Sequence, residues 1–159
     1  MTDSQGARLI VLLGSASDLP VTEAMGPLCE RLGITMRTEI ASAHRQPARL
    51  HEVIEETEAA GAEIYVAIAG MAAHLPGVTA SLTSKPVIGV PVAAGPLAGV
   101  DAMLSMVQMP PGVPVATVAV GSAGAKNAVV LAARILALKD PAIAKALADY
   151  RQTLAQGGK

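Results

Sequence analysis

The sequence predicts an α/β domain: a three-layer α/β/α sandwich on a parallel sheet. Three observations predict it. Short apolar runs alternate with segments of helical period along the whole chain. The run at 64–69 (IYVAIA) is apolar without a break, as in a strand buried on both faces of a parallel sheet. The 159 residues hold no internal repeat, low-complexity stretch or linker, so they read as one domain over 1–159. Its core is expected at about 8–140 and its C-terminal helix at about 141–156.

Each element has a local signal. LIVLL at 9–13, bounded by Gly14, reads as the first strand. Val21, Met25, Leu28 and Leu32 then recur at helical spacing, with Asp18 as N-cap, Pro20 in the first turn and Gly33 as the stop. Residues 34–40 alternate apolar and polar, as a less buried strand does. Pro47 opens a helix carrying Leu50, Val53 and Ile54, and Gly61 closes it. After the 64–69 strand, Pro76 opens a short helix that runs to Leu82. Residues 87–90 form the fourth strand, 100–107 a helix stopped by PPGVP, and 115–120 the fifth strand. Residues 125–138 are apolar almost all round, so that helix must be covered on most sides. Asp140-Pro141 caps the last helix, with Ile143, Leu147, Tyr150 and Leu154 on one face, and the tail AQGGK is expected to fray. The order βαβαβαβαβα with an extra C-terminal helix is flavodoxin/Rossmann-like.

Composition narrows the function. Hydrophobic residues make up 52% and charged residues only 16%, against about 25% charged in a typical domain. The long uncharged runs at 64–84 and 102–125 are broken by Pro-Gly and polar residues, so no membrane span is expected. The apolar run near the N-terminus, 9–13, is short and an acidic residue precedes it, so no signal peptide is expected. The expectation is a cytoplasmic homo-oligomer with a fairly apolar interface. A net charge of −1, no Trp, no Phe and two Tyr argue against nucleic acid as a partner. One Cys leaves no disulfide framework and no Cys-based metal site.

In parallel α/β sheets ligands bind beyond the carboxyl ends of the strands. After the first strand, Gly14-Ser15-Ala16-Ser17-Asp18 offers a close backbone approach, two hydroxyls and a helix start for a phosphate. Asp18 there can accept from ribose hydroxyls. After the second strand come Ser42, His44 and Arg45. Arg45 suits bidentate phosphate binding, His44 suits proton transfer near neutrality, and Ser42 is placed to orient the imidazole. After the third strand, His74 stands at a helix start among small residues, suited to donating to a carboxylate. His51 reads as a surface residue and Cys29 as a buried, inert thiol. The two crevice histidines lack a third ligand, so no metal is expected. Together these residues fit a small phosphorylated ligand and proton-transfer chemistry.

Five motifs in series carry a resemblance: GSASD (14–18), SAHRQP (42–47), AAHLPG (72–77), PVIGVPV (86–92) and SMVQMPPGVPVATVAVGSAGAKNA (105–128). Across roughly 8–140 the chain resembles the N5-carboxyaminoimidazole ribonucleotide (N5-CAIR) mutase family of purine biosynthesis, the class I PurE proteins. The resemblance implies an isomerase that shifts a carboxyl group from N5 to C4 of aminoimidazole ribonucleotide. It implies His44 as general acid and base, His74 as the second catalytic residue, and Ser15, Asp18, Ser42, Arg45, Gly70 and Ala72 as substrate-binding positions. It also implies no cofactor, a homo-octamer, and functional coupling to an ATP-dependent N5-CAIR synthetase.

The chain departs from the family pattern at Ile68 and Met71, where the family usually has Gly, and at Ala16, a tolerant position. Met71 bears on pocket width and loop motion. The alternatives are a class II enzyme that carboxylates aminoimidazole ribonucleotide directly with CO2, a carboxylase-like enzyme of nickel-pincer cofactor synthesis, and a non-catalytic nucleotide-binding protein. His74 argues against the first. The chain is too short for the extra N-terminal region of the second. The set of Ser15, Asp18, His44, Arg45 and His74 argues against the third.

Overall fold

The computed structural model describes residues 6–158. Residues 1–5, where the expected absence of a signal peptide partly falls, and residue 159 lie outside the described residues. Five strands form one parallel sheet: β1 (Leu9–Leu13), β2 (Met36–Ile40), β3 (Ile64–Gly70), β4 (Val87–Val92) and β5 (Ala116–Thr117). Their spatial order is β2-β1-β3-β4-β5, with Leu9 level with Met36 on one side and Ile64 on the other. The α/β fold expected from the sequence is the fold observed. The chain reverses its direction of travel between β1 and β3, which opens a crevice at their carboxyl ends.

The α-helices among the described residues are α1 (Leu19–Thr22), α2 (Met25–Leu32), α3 (Pro47–Ala59), α4 (Leu75–Leu82), α5 (Val100–Val107), α6 (Ser122–Leu136) and α7 (Pro141–Ala155). The period-2 alternation of the strands sorts them into two layers. Leu9, Val11, Leu13, Ile64, Val66 and Ile68 pack against α2, α6 and α7. Ile10, Leu12, Tyr65, Ala67 and Ala69 face α3, α4 and α5. Ile68, one of the departures from the family pattern, is therefore a core residue.

Four local expectations change. The first helix is two, because Pro27 has no N–H for the carbonyl of Glu23 and the ladder breaks at residues 23–24. The second strand begins at Met36: Gly33, at φ 70, turns the end of α2 so that Ile34 N donates back to Cys29 O at 2.9 Å. The fifth strand shrinks to two residues. Gly89 and Pro91 both turn their carbonyls toward it, to Val118 N and Gly121 N, but Pro91 has no N–H to give back. The tail is tied rather than frayed through Gly158, whose N–H reaches Thr153 O at 3.0 Å. Helix α6 is covered on most sides as expected, leaving Ser122, Ala123, Lys126, Asn127 and Arg134 exposed. The exposed apolar side chains include a stripe along α5: Val100, Met103, Leu104 and Val107. No described helix is long and apolar enough to cross a membrane.

Candidate active site

The loop after β1 is tightened by its own hydroxyls. Ser15 Oγ accepts from Ser17 N at 3.3 Å and from the Ser17 hydroxyl at 3.0 Å. Ser15 is thus the cap of the short 3-10 turn Ala16–Asp18. Asp18 stands at the N-cap position of α1, as the sequence predicts, but its side chain makes no capping bond. Asp18 is instead folded inward, only 8% exposed, with its carboxylate beside Gly14. Burial pushes its carboxyl above the usual carboxylate range, and a hydrogen bond from the Ser15 backbone works against that rise.

The loop after β2 is organised around Ser42. Its buried hydroxyl accepts from Arg45 N at 3.2 Å and Arg45 Nε at 3.4 Å. The expected role of Ser42, orienting the His44 imidazole, is corrected: the residue three positions on lies within its reach, and it holds Arg45. Arg45 Nη2 also donates to Gly14 O at 3.2 Å, pinning the second loop to the first. The guanidinium fork is thereby fixed at the crevice while remaining exposed.

The loop after β3 brings the second histidine to the first. His44 Nε2 and His74 Nδ1 are 2.5 Å apart, their rings edge-on at 83°. His74 is the N-cap residue of α4 but its side chain caps nothing, which leaves it for this contact. Met71, on the way to His74, has φ 55, a left-handed conformation that costs a non-glycine residue about 1–3 kcal/mol.

Ser15, Asp18, Ser42, His44, Arg45, Gly70, Ala72 and His74 all line one cavity of about 470 Å³. Met71, Gly14 and Ser17 share it, as does Ala94 from the loop after β4. The sequence reading missed Ala94. The small residues at 93–95, just past a strand end, were the available signal. His51 lies away on α3, exposed and 3.4 Å from Glu55. Cys29 is on the buried face of α2, and burial pushes its thiol up to about 12, as befits an inert sulfur. Among the described residues no cluster of three or more His, Cys, Asp or Glu side chains is arranged for a metal.

The cavity therefore joins a fixed guanidinium and two serine hydroxyls, suited to a phosphate, to a buried carboxylate and a histidine pair able to move protons. Comparison with known proteins finds relatives along nearly the whole chain. Over 146 residues, 92% of this chain and 89% of the relative, it is 49% identical to the N5-carboxyaminoimidazole ribonucleotide mutase of Methanocaldococcus jannaschii. It is 44% identical to the protein of the same name from Escherichia coli K12, over 92% of this chain and 86% of that one. The crystal structure of Treponema denticola PurE superposes with a TM-score of 0.85 at 32% identity, covering 94% of this chain and 92% of that chain. The family model described as AIR carboxylase matches residues 8–157, and the chain belongs to that family.

Proposed function

We propose that this chain is an isomerase of purine biosynthesis that moves the carboxyl group of N5-CAIR from N5 to C4, with His44 as general acid and base. The observation that carries the reading is the 2.5 Å contact of His44 with His74 in the cavity that also holds Arg45. Arg45, with Ser42 behind it and Ser15 beside it, receives the phosphate. Asp18 accepts from the ribose hydroxyls, which returns to its buried carboxylate the hydrogen bonds that water no longer supplies. His74 and the backbone at Gly70 and Ala72 meet the migrating carboxylate.

The steps balance without oxidant, reductant or nucleotide cofactor. The N5–carboxyl bond breaks, its electron pair stays on nitrogen, and His44 gives that nitrogen a proton. Aminoimidazole ribonucleotide and CO2 are then held together. C4 attacks CO2, a carbon–carbon bond forms, and the C4 proton leaves to His44. The proton lent in the first half is returned in the second, so one residue serves both. The CO2 must stay in the cavity between the halves.

The reading extends to a cytoplasmic homo-octamer supplied by an ATP-dependent N5-CAIR synthetase. The apolar stripe Val100, Met103, Leu104 and Val107 supports the assembly, since exposed apolar patches mark interfaces. The test is a substrate comparison at pH 7–8. Purified protein receives N5-CAIR generated in situ by a synthetase, and separately aminoimidazole ribonucleotide with bicarbonate. Fast product formation only in the first supports the mutase. Equal or faster formation in the second makes the protein a direct carboxylase.

A further inference from the structure

The loops after β3 and β4 meet over the cavity, and what joins them is packing. Beyond the ladder pair Gly70–Val92, no hydrogen bond among the described residues links residues 71–74 to residues 93–99. Two contacts take its place. Gly70 approaches so closely that a Cβ on it would lie 2.8 Å from Ala94 Cβ. One residue on, the Met71 side chain stands beside Gly95, with Cγ, Cε and Sδ 3.5–3.9 Å from where a Cβ on that glycine would stand.

Met71 is unusual three times over. It is a non-glycine residue at φ 55. It is 56% exposed although its side chain is apolar. It lines the cavity three residues before His74. A residue kept in a left-handed conformation with an exposed apolar side chain is explained by neither core packing nor turn chemistry. The neighbouring Gly95 accounts for the conformation: the left-handed turn aims the thioether at the next loop, and an unbranched, flexible side chain can follow the flat surface of a glycine. Its facing residue, at φ 69, is itself one that favours glycine.

We propose that Met71 is a clasp between the two loops: its side chain, seated on Gly95, holds the segment 70–74 over the cavity and so positions His74 against His44. In a glycine-rich loop the same segment has no side chain with which to reach residue 95. The consequence for the reaction rests on the carboxyl-transfer reading. While CO2 is free, the clasped loop is the lid that keeps it beside C4; an unclasped loop lets CO2 leave and strands aminoimidazole ribonucleotide.

Two readouts test this on the purified full-length chain. Met71→Ala removes the thioether but keeps a Cβ and its backbone restriction; Met71→Leu keeps an apolar side chain of similar size. Amide hydrogen exchange of the segment 70–76 needs no substrate. It should rise about tenfold in Met71→Ala and return close to the wild-type rate in Met71→Leu. With N5-CAIR, the ratio of aminoimidazole ribonucleotide released to product formed, corrected for spontaneous decay, should rise at least threefold in Met71→Ala and recover in Met71→Leu. KM for the nucleotide should move little, because Arg45 and Asp18 are untouched. Unchanged exchange in Met71→Ala overturns the clasp, and so does an unchanged ratio. A wild-type protein that makes no product from N5-CAIR overturns the carboxyl-transfer reading alone, and the exchange measurement then still decides the clasp.

Discussion

His44 Nε2 and His74 Nδ1 stand 2.5 Å apart on loops that leave different strands, β2 and β3. Two ring nitrogens at that distance need one proton between them, one ring donating and the other accepting. The arrangement holds only while at least one of those nitrogens is bare. A pair of this kind keeps one nitrogen ready to take a proton and another ready to give one, which a borrowed-and-returned proton requires.

Replacing His44 with Asn keeps a polar side chain but removes the titrating ring. Turnover of N5-CAIR should fall by about 10²–10⁴, the usual worth of a positioned acid-base group, with the mass by light scattering the same as wild type. Turnover within a few-fold of wild type would remove His44 from the mechanism.

Arg45→Ala removes a guanidinium held by Ser42 and Gly14. Losing a charge-assisted contact of about 1.5–3 kcal/mol should weaken ribonucleotide binding about 10- to 100-fold, with a smaller effect on kcat. Calorimetric titration measures it. Arg45→Lys should recover only part, since a point charge cannot bridge both loops as the fork does.

Asp18, in the wall of the cavity, is held at a cost to stability. Burial lifts its carboxyl above the usual range, so the folded state disfavours its charge. The sign follows: stability falls as pH rises from the ordinary carboxylate pKa through the raised one, and the penalty is complete above that. Asp18→Asn should therefore stabilise the free protein at neutral pH by roughly 0.5–2 kcal/mol, the common gain at such sites, and weaken nucleotide binding. The stability difference should vanish in acid. Urea melts at several pH values would show it, and a destabilised Asn variant would contradict the account.

Arg8 works at the opposite end of the sheet. It bonds Glu63 at 2.5 Å and Asp140 at 2.6 Å, and Lys139 bonds the other oxygen of Glu63. Burial raises the carboxyl of Glu63, but hydrogen bonds from Lys139 and Arg8 outweigh it and hold the group below its ordinary range. Asp140 is lowered chiefly by its bond from Arg8. Depressed carboxyls contribute stability that is present above the unfolded pKa, about 4, and lost as pH falls through the folded one. Arg8→Met should lower Tm at pH 7, and the gap to wild type should close in acid. A gap that persists undiminished at pH 2–3 would assign the effect of Arg8 to packing.

The sequence made the layers and the crevice legible because each strand carries its own pattern and the ligand end of a parallel sheet is fixed by topology. Hence Ser15, Asp18, His44, Arg45 and His74, far apart in the chain, were already grouped. Competing local interactions were harder to see. Pro27 splits a helix whose apolar spacing is unbroken, and Ile34 is captured by the turn that ends α2 before it can join β2. Ser42, which the sequence sets beside His44, bonds Arg45, because adjacency in sequence says little about which side chain folds back. The seat of Met71 on Gly95 joins two loops across the sheet, so neither loop alone announces it.

Carboxyl transfer inside a closed cavity is tested most directly by isotope tracing. N5-CAIR labelled with carbon-13 in its carboxylate is converted in excess unlabelled bicarbonate and CO2, and the product is analysed by mass spectrometry. The account predicts that the label is retained almost completely at C4, with loss only in the Met71→Ala variant. A wild-type product whose carboxylate has equilibrated with the dissolved pool would contradict it.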